Sequence, residues 1–163
     1  RYLTNELLPI LLKRNRDIEL HIAGSAIEQY LPDLRSVAGL YLHGFVPDLC
    51  AWLAKCQIFI MPMFQGSGVK TKLLEAMASG MAVVTNSLGA ESLPDEAKSA
   101  VMVADGTNAL ADAVLELFDN PMKRETLERL AREMAEKYFD PVVIATDYRR
   151  AVLSTTSPWT IAL

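Results

Sequence analysis

Met61-Pro62-Met63-Phe64-Gln65-Gly66-Ser67-Gly68-Val69-Lys70-Thr71-Lys72-Leu73-Leu74-Glu75-Ala76-Met77-Ala78-Ser79-Gly80-Met81-Ala82-Val83-Val84-Thr85-Asn86 is the stretch that decides the fold. It reads as the end of a strand, a glycine loop, a helix and a second strand. The preceding run Gln57 to Met61 is short, apolar and stopped by Pro62, the pattern of a strand buried on both faces of a parallel sheet. Gly66 and Gly68 allow the chain to take positive φ and to bring its backbone close to a ligand. A helix from about Val69 carries Leu73, Leu74, Met77 and Ala78 as its apolar face, with Gly80 as its stop.

The charges on that helix are unusual. Lys70 and Lys72 fall in the first turn, where unpaired N–H groups and the helix dipole favour an anion. The two lysines make most sense facing a bound phosphate. Solvated lysines, with Lys72 pairing to Glu75 at i,i+3, remain the plain alternative. Glu75 lies a turn and a half into the helix among residues expected to be buried, placed to accept hydrogen bonds from a ribose diol or to pair with Lys72.

Residues 66 to 80, followed by Val83-Val84-Thr85-Asn86, closely resemble the signature of the C-terminal domain of GT-B glycosyltransferases of the group 1, or family 4, type. The similarity runs in weaker form from about Glu6 to Tyr148. The resemblance implies a domain that binds a nucleotide-sugar donor such as a UDP- or GDP-sugar as substrate, with no cofactor and no metal. It implies that Glu75 holds the ribose and that Gly66, Ser67, Gly68, Val69 and Lys70 lie against the diphosphate and sugar. It also implies that Gly44, Phe45 and Val46 lie beside the nucleobase. Phe45 has the alternative of packing in the core behind a strand-end turn. Two residues depart from the family pattern: Ser67 stands where many members have the first glutamate of a Glu-x7-Glu pair, and Ala82 where proline is usual. No residue is assigned a catalytic role.

The remainder of the chain frames this motif. Its 163 residues, 51% of them apolar, suffice for one domain spanning residues 1–163. A net charge of −4 argues against a general nucleic-acid footprint. Cys50 and Cys56 match no zinc spacing and read as reduced thiols of a cytoplasmic protein. His21 and His43 read as strand residues rather than metal ligands. No run approaches the length of a membrane span.

A helix is expected over Asn5 to Asn15, then a strand over Ile18 to Ala23. Helical segments are expected near Ile27 to Tyr30 and Leu34 to Val37. Then come a strand at Leu40 to Leu42, a helix capped by Asp48, strands at Met81 to Thr85 and Ala100 to Ala104, and three closing helices. Asn86 to Glu96 reads as a polar loop, with Glu91 a solvated carboxylate. Strands alternating with helices predict an α/β doubly wound parallel sheet, the Rossmann-like half of a GT-B fold, with a helical C-terminal third and ligands beyond the carboxyl ends of the strands.

The abrupt start at Arg1 leads us to expect the domain's first strand and the whole N-terminal acceptor domain as missing partners in a longer polypeptide, any peripheral membrane association belonging to that half. The function implied is transfer of a sugar to a hydroxyl acceptor in cell-surface polysaccharide or glycoconjugate synthesis, the fragment alone being inactive. The alternatives are a nucleotide-sugar epimerase of the same fold and a non-catalytic nucleotide-binding module, the second favoured only by Ser67.

Overall fold

The computed structural model describes residues 1–25, 27 and 37–154. The chain opens with a π-wound segment, Leu3–Leu7, that runs on into α1 (Leu8–Arg14). Pro9 has no N–H to give an i→i−4 bond, so the helix is wider ahead of it and settles into α geometry around it. Strand β1 (Leu20–Ala23) pairs in parallel with β2 (Leu40–His43), in the register Leu20 to Leu40 through Ala23 to His43. Apart from Ile27 and Val37, the helical segments expected between these strands lie outside the described residues.

Asp48 begins α2 (Leu49–Leu53) as the sequence predicts, its carboxylate accepting from the Ala51 N–H at 2.9 Å. Then follow β3 (Ile58–Met61), α3 (Thr71–Ala78) and β4 (Ala82–Thr85). Helix α3 closes through Gly80 at φ 70°, with Gly80 N–H on the Met77 carbonyl at 2.9 Å and Met81 N–H on that of Ala76 at 3.0 Å. These two hydrogen bonds satisfy carbonyls that the helix end would leave bare, and they turn the chain directly into β4.

Asn86 to Glu96 is more ordered than a polar loop: it holds two single-turn helices, α4 (Ser87–Ala90) and α5 (Asp95–Lys98). Each is short and carries its own start signal, an Asn at one N-cap and Pro94 at the other, which a reading by apolar periodicity does not register. Strand β5 is only Met102–Val103. From Thr107 to Ser154 the described residues form three helices, α6 (Thr107–Asp119), α7 (Pro121–Phe139) and α8 (Pro141–Ser154).

Alternation along β4 divides the interior. Val83 points into one core with Leu73, Ala76 and Met77 of α3 and with Ala131 and Ala135 of α7. Ala82 and Val84 point into the other, with Leu7, Leu11, Leu110, Ala111, Val114 and Leu117. Neighbouring strand residues face opposite sides, so helices cover both faces, the layering of a doubly wound α/β fold.

All described strand pairs are parallel, in two sheets: β1 with β2, and β3, β4, β5 in that order. The expectation that residues 57–61 form a strand buried on both faces is corrected. Strand β3 is an edge of its sheet and is half-buried along its length, whereas every residue of β4 is buried.

Candidate functional site

The expected site residues lie at the carboxyl ends of the parallel strands. The β3–β4 register ends at Met61 and Thr85, and Pro62 follows, a residue with no N–H for a strand pairing. The loop that follows takes positive φ twice, 114° at Gly66 and 75° at Gly68. A Cβ at Gly68 would meet nothing within 4 Å, so glycine there serves the backbone conformation rather than close packing. Gly66, Ser67, Gly68 and Val69 are all exposed.

Lys70 ends the loop and is the N-cap of α3, where no side chain caps the helix. It is only 7% exposed, and its ammonium donates to the Gly68 carbonyl at 2.8 Å. The side chain therefore folds back inside the glycine loop instead of reaching into solvent. An ammonium has three protons to donate, and a lysine so far out of water is uncommon unless it is paired. Loop, ammonium and uncapped helix start together make a cradle with the chemistry of an anion site.

Lys72 and Glu75 lie on the outward side of α3. Glu75 has the buried neighbours that the sequence predicts, Leu73 and Ala76, and is itself exposed between them. Helical rotation turns it away from the face those residues fill. The alternative Lys72–Glu75 pair does not form, and among the described residues no ion pair involves either side chain. A carboxylate held ready on the surface is free to accept from a ligand.

Gly44, Phe45 and Val46 follow β2 in the other sheet, so the structure brings them to the same type of edge without a hydrogen bond to the glycine loop. The Gly24 N–H donates to both His43 and Gly44 carbonyls at 3.2 Å, joining the exits of β1 and β2. Phe45 is 75% exposed, which corrects the alternative that packs it in the core. Phe64, ahead of Gly66, is 65% exposed and rests edge-on against Tyr2.

Two features escaped the reading by motif. His21 Nδ1 and His43 Nε2 stand 2.9 Å apart across β1 and β2, with His21 Nε2 3.2 Å from Glu19 and His43 edge-on to Trp52. Only the strand register, which pairs His21 with Tyr41 and Ala23 with His43 on one face, could have revealed it. Asn86 is the other: its side-chain amide binds the backbone of Met63, at the root of the glycine loop. Among the described residues no three His, Cys, Asp or Glu side chains gather as a metal site, and no helix is long and apolar enough to cross a membrane.

This geometry can be set beside known proteins. The family model for glycosyl transferases, group 1, matches residues 1–120. The chain is 29% identical, over 166 aligned residues, to the D-inositol 3-phosphate glycosyltransferase of Paenarthrobacter aurescens, covering 91% of this chain and 40% of that protein. Anabaena Alr3699/HepE, solved in complex with UDP, superposes with a TM-score of 0.77 at 18% identity, over 94% of this chain and 46% of that one. The C-terminal domain of a group 1 family glycosyl transferase, LpcC of Francisella tularensis, superposes at 0.63 and 19% identity, over 83% of this chain and 77% of that domain. The chain spans 24% to 40% of the length of the curated relatives it matches. With its family matched over most of its length and its fold shared with these structures, the chain belongs to the group 1 glycosyl transferases.

Proposed function

We propose that this chain is the donor-binding part of an enzyme that moves a sugar from a nucleotide-sugar to a hydroxyl acceptor. The observation that carries the reading is Lys70, nearly out of solvent and bonded inside a loop of two positive-φ glycines at an uncapped helix start. That arrangement suits a diphosphate, the group common to nucleotide-sugars. UDP in the HepE structure, whose fold this chain shares, is consistent with it. In this reading Gly66 to Lys70 receive the diphosphate, Lys72 adds charge, Glu75 accepts from the ribose, and Gly44 to Val46 flank the base.

The same reading holds that a further parallel strand lies between β1 and β3. Both are edges of separate parallel sheets, and β3 is an apolar strand left half-buried. Helix α1 packs in the core that takes Ala82 and Val84 of β4, then leads to β1. A right-handed crossover through α1 would start from a strand in that gap. Its carboxyl end would open beside the glycine loop. The acceptor and the catalytic groups belong, in this reading, to the remainder of the protein.

The test is a ligand-observed NMR titration of the chain with UDP, GDP and ADP, repeated on Glu75→Ala. Binding of one diphosphate, weakened in the variant, is the expected result. Failure of a polypeptide that includes the proposed strand to bind any of the three would overturn the donor reading.

A further inference from the structure

We propose that Asn86 is a positioning residue that holds the glycine loop at the height needed for a diphosphate, an assignment that rests on the donor-site reading above. The backbone pairing of β3 with β4 ends at Met61 and Thr85, so the loop should leave the sheet unsupported. It does not. The Met63 N–H donates to Asn86 Oδ1 at 3.0 Å, and Asn86 Nδ2 donates back to the Met63 carbonyl at 2.5 Å. The side-chain amide thus behaves as one more peptide group and extends the sheet past the proline, to within three residues of Gly66.

The anchor is itself fixed on both sides. Asn86 Oδ1 also accepts from the Gly89 N–H at 3.0 Å, which makes Asn86 the N-cap of α4. The next residue, Ser87, gives its N–H to Asp105 Oδ1 at 3.0 Å and its hydroxyl to Asp105 Oδ2, tying the exit of β4 to the end of β5. On the preceding side, the Thr85 hydroxyl donates to the Met61 carbonyl at 2.7 Å. A Cβ at Gly89 would come within 1.9 Å of that hydroxyl oxygen, so the network has no room for a larger residue there. Ladder end, loop root and α4 therefore move as one body, and Lys70 reaches its Gly68 partner from a fixed base.

Only an amide can do this, because Met63 presents a donor and an acceptor together. Asn86→Ala removes all three bonds. Asn86→Asp keeps the two acceptances at Oδ1 but sets a second carboxylate oxygen against the Met63 carbonyl, until protonation restores a donor.

The experiment compares the chain with Asn86→Ala, Asn86→Asp and a control, Asn120→Ala, which removes a cap of α7 by deleting the acceptor of the Lys123 N–H at 3.0 Å, a bond that involves no loop residue. UDP, GDP and ADP affinity and amide exchange at Met63 are read on each at a temperature where all are folded. A loop that must be ordered by the ligand binds more weakly, so Asn86→Ala is expected to lose roughly tenfold in diphosphate affinity and its Met63 protection. Asn120→Ala should keep both. Asn86→Asp should recover affinity, relative to the unaltered chain, as the pH is lowered through its carboxyl titration.

Equal affinity and Met63 protection in Asn86→Ala and the unaltered chain would overturn the positioning role while leaving the donor reading intact. Equal losses in Asn120→Ala would show general destabilisation and overturn it as well. Protection of Met63 with no diphosphate bound, in the unaltered chain and in a polypeptide that includes the proposed strand, would overturn the assignment at the level of the donor reading.

Discussion

Lys70 and Glu75 are five residues apart and opposite in kind. The Lys70 stem is packed away and its ammonium rests on a loop carbonyl, whereas the Glu75 carboxylate stands in solvent. Substitution should separate their roles in binding from their roles in stability. Glu75→Ala removes no internal bond, so thermal unfolding should shift by no more than about 0.5 kcal/mol, the usual range for an exposed site. Its effect should appear in diphosphate titrations instead. Lys70→Met keeps the apolar stem and removes the charge. It should weaken UDP binding by about ten- to a hundredfold, the worth of one charge-assisted hydrogen bond, read by the same titration. At this scale the sequence showed the buried neighbours of Glu75 but not how far Lys70 withdraws from solvent. Spacing along a helix says which residues share a face, and Glu75 lies just off the face that Leu73 and Ala76 bury. The use of Asn86 was not legible, because its partner is the backbone of Met63, 23 residues earlier.

Among the elements, α3 and the loop before it carry the site, and their stability comes from the buried side of the helix. Leu73 and Met77 are fully buried against β4 and α7. Leu73→Ala should cost about 2–5 kcal/mol in denaturant unfolding, the range for a large side chain removed from a packed core. Gly68→Ala is a test of a different kind. The position is open in space but sits at φ 75°, so the cost should be only about 1–2 kcal/mol, with diphosphate binding lost through the altered loop.

A pH effect belongs here too. The Ser87 hydroxyl and amide hold the Asp105 carboxyl below its ordinary value of 3.8. A depressed carboxyl stabilises the fold above its unfolded pKa, and that contribution is lost as pH falls through the lower folded value. The difference in unfolding midpoint between the chain and Asp105→Ala should therefore be full at neutral pH and shrink below 3.8. The order of long helices and apolar strands was legible from periodicity. Helices α4 and α5 were not, since a single turn is set by its caps and neighbours rather than by a repeating pattern.

Over the whole molecule, β4 is the partition between two cores, one closed by α3 and α7 and the other by α1 and α6. Parallel strands with helices on both faces could be read in advance from alternation, because a strand apolar on both sides has to be covered on both sides. The division into two sheets could not, since strand neighbours are fixed by crossovers that leave little local trace. In the proposed account the half-buried edge of β3 is where a further strand pairs. A polypeptide that includes it should then show lower amide exchange at Ile58 and Ile60 than this chain does.

Chemical-shift mapping of the isotope-labelled chain with UDP tests the diphosphate site most directly. The account predicts that the largest backbone amide changes fall on Gly66, Ser67, Gly68, Lys70 and the first turn of α3, and that Lys70→Met needs about ten- to a hundredfold more UDP to reach them. Changes centred elsewhere, or a titration in Lys70→Met that matches that of the unaltered chain, would contradict it.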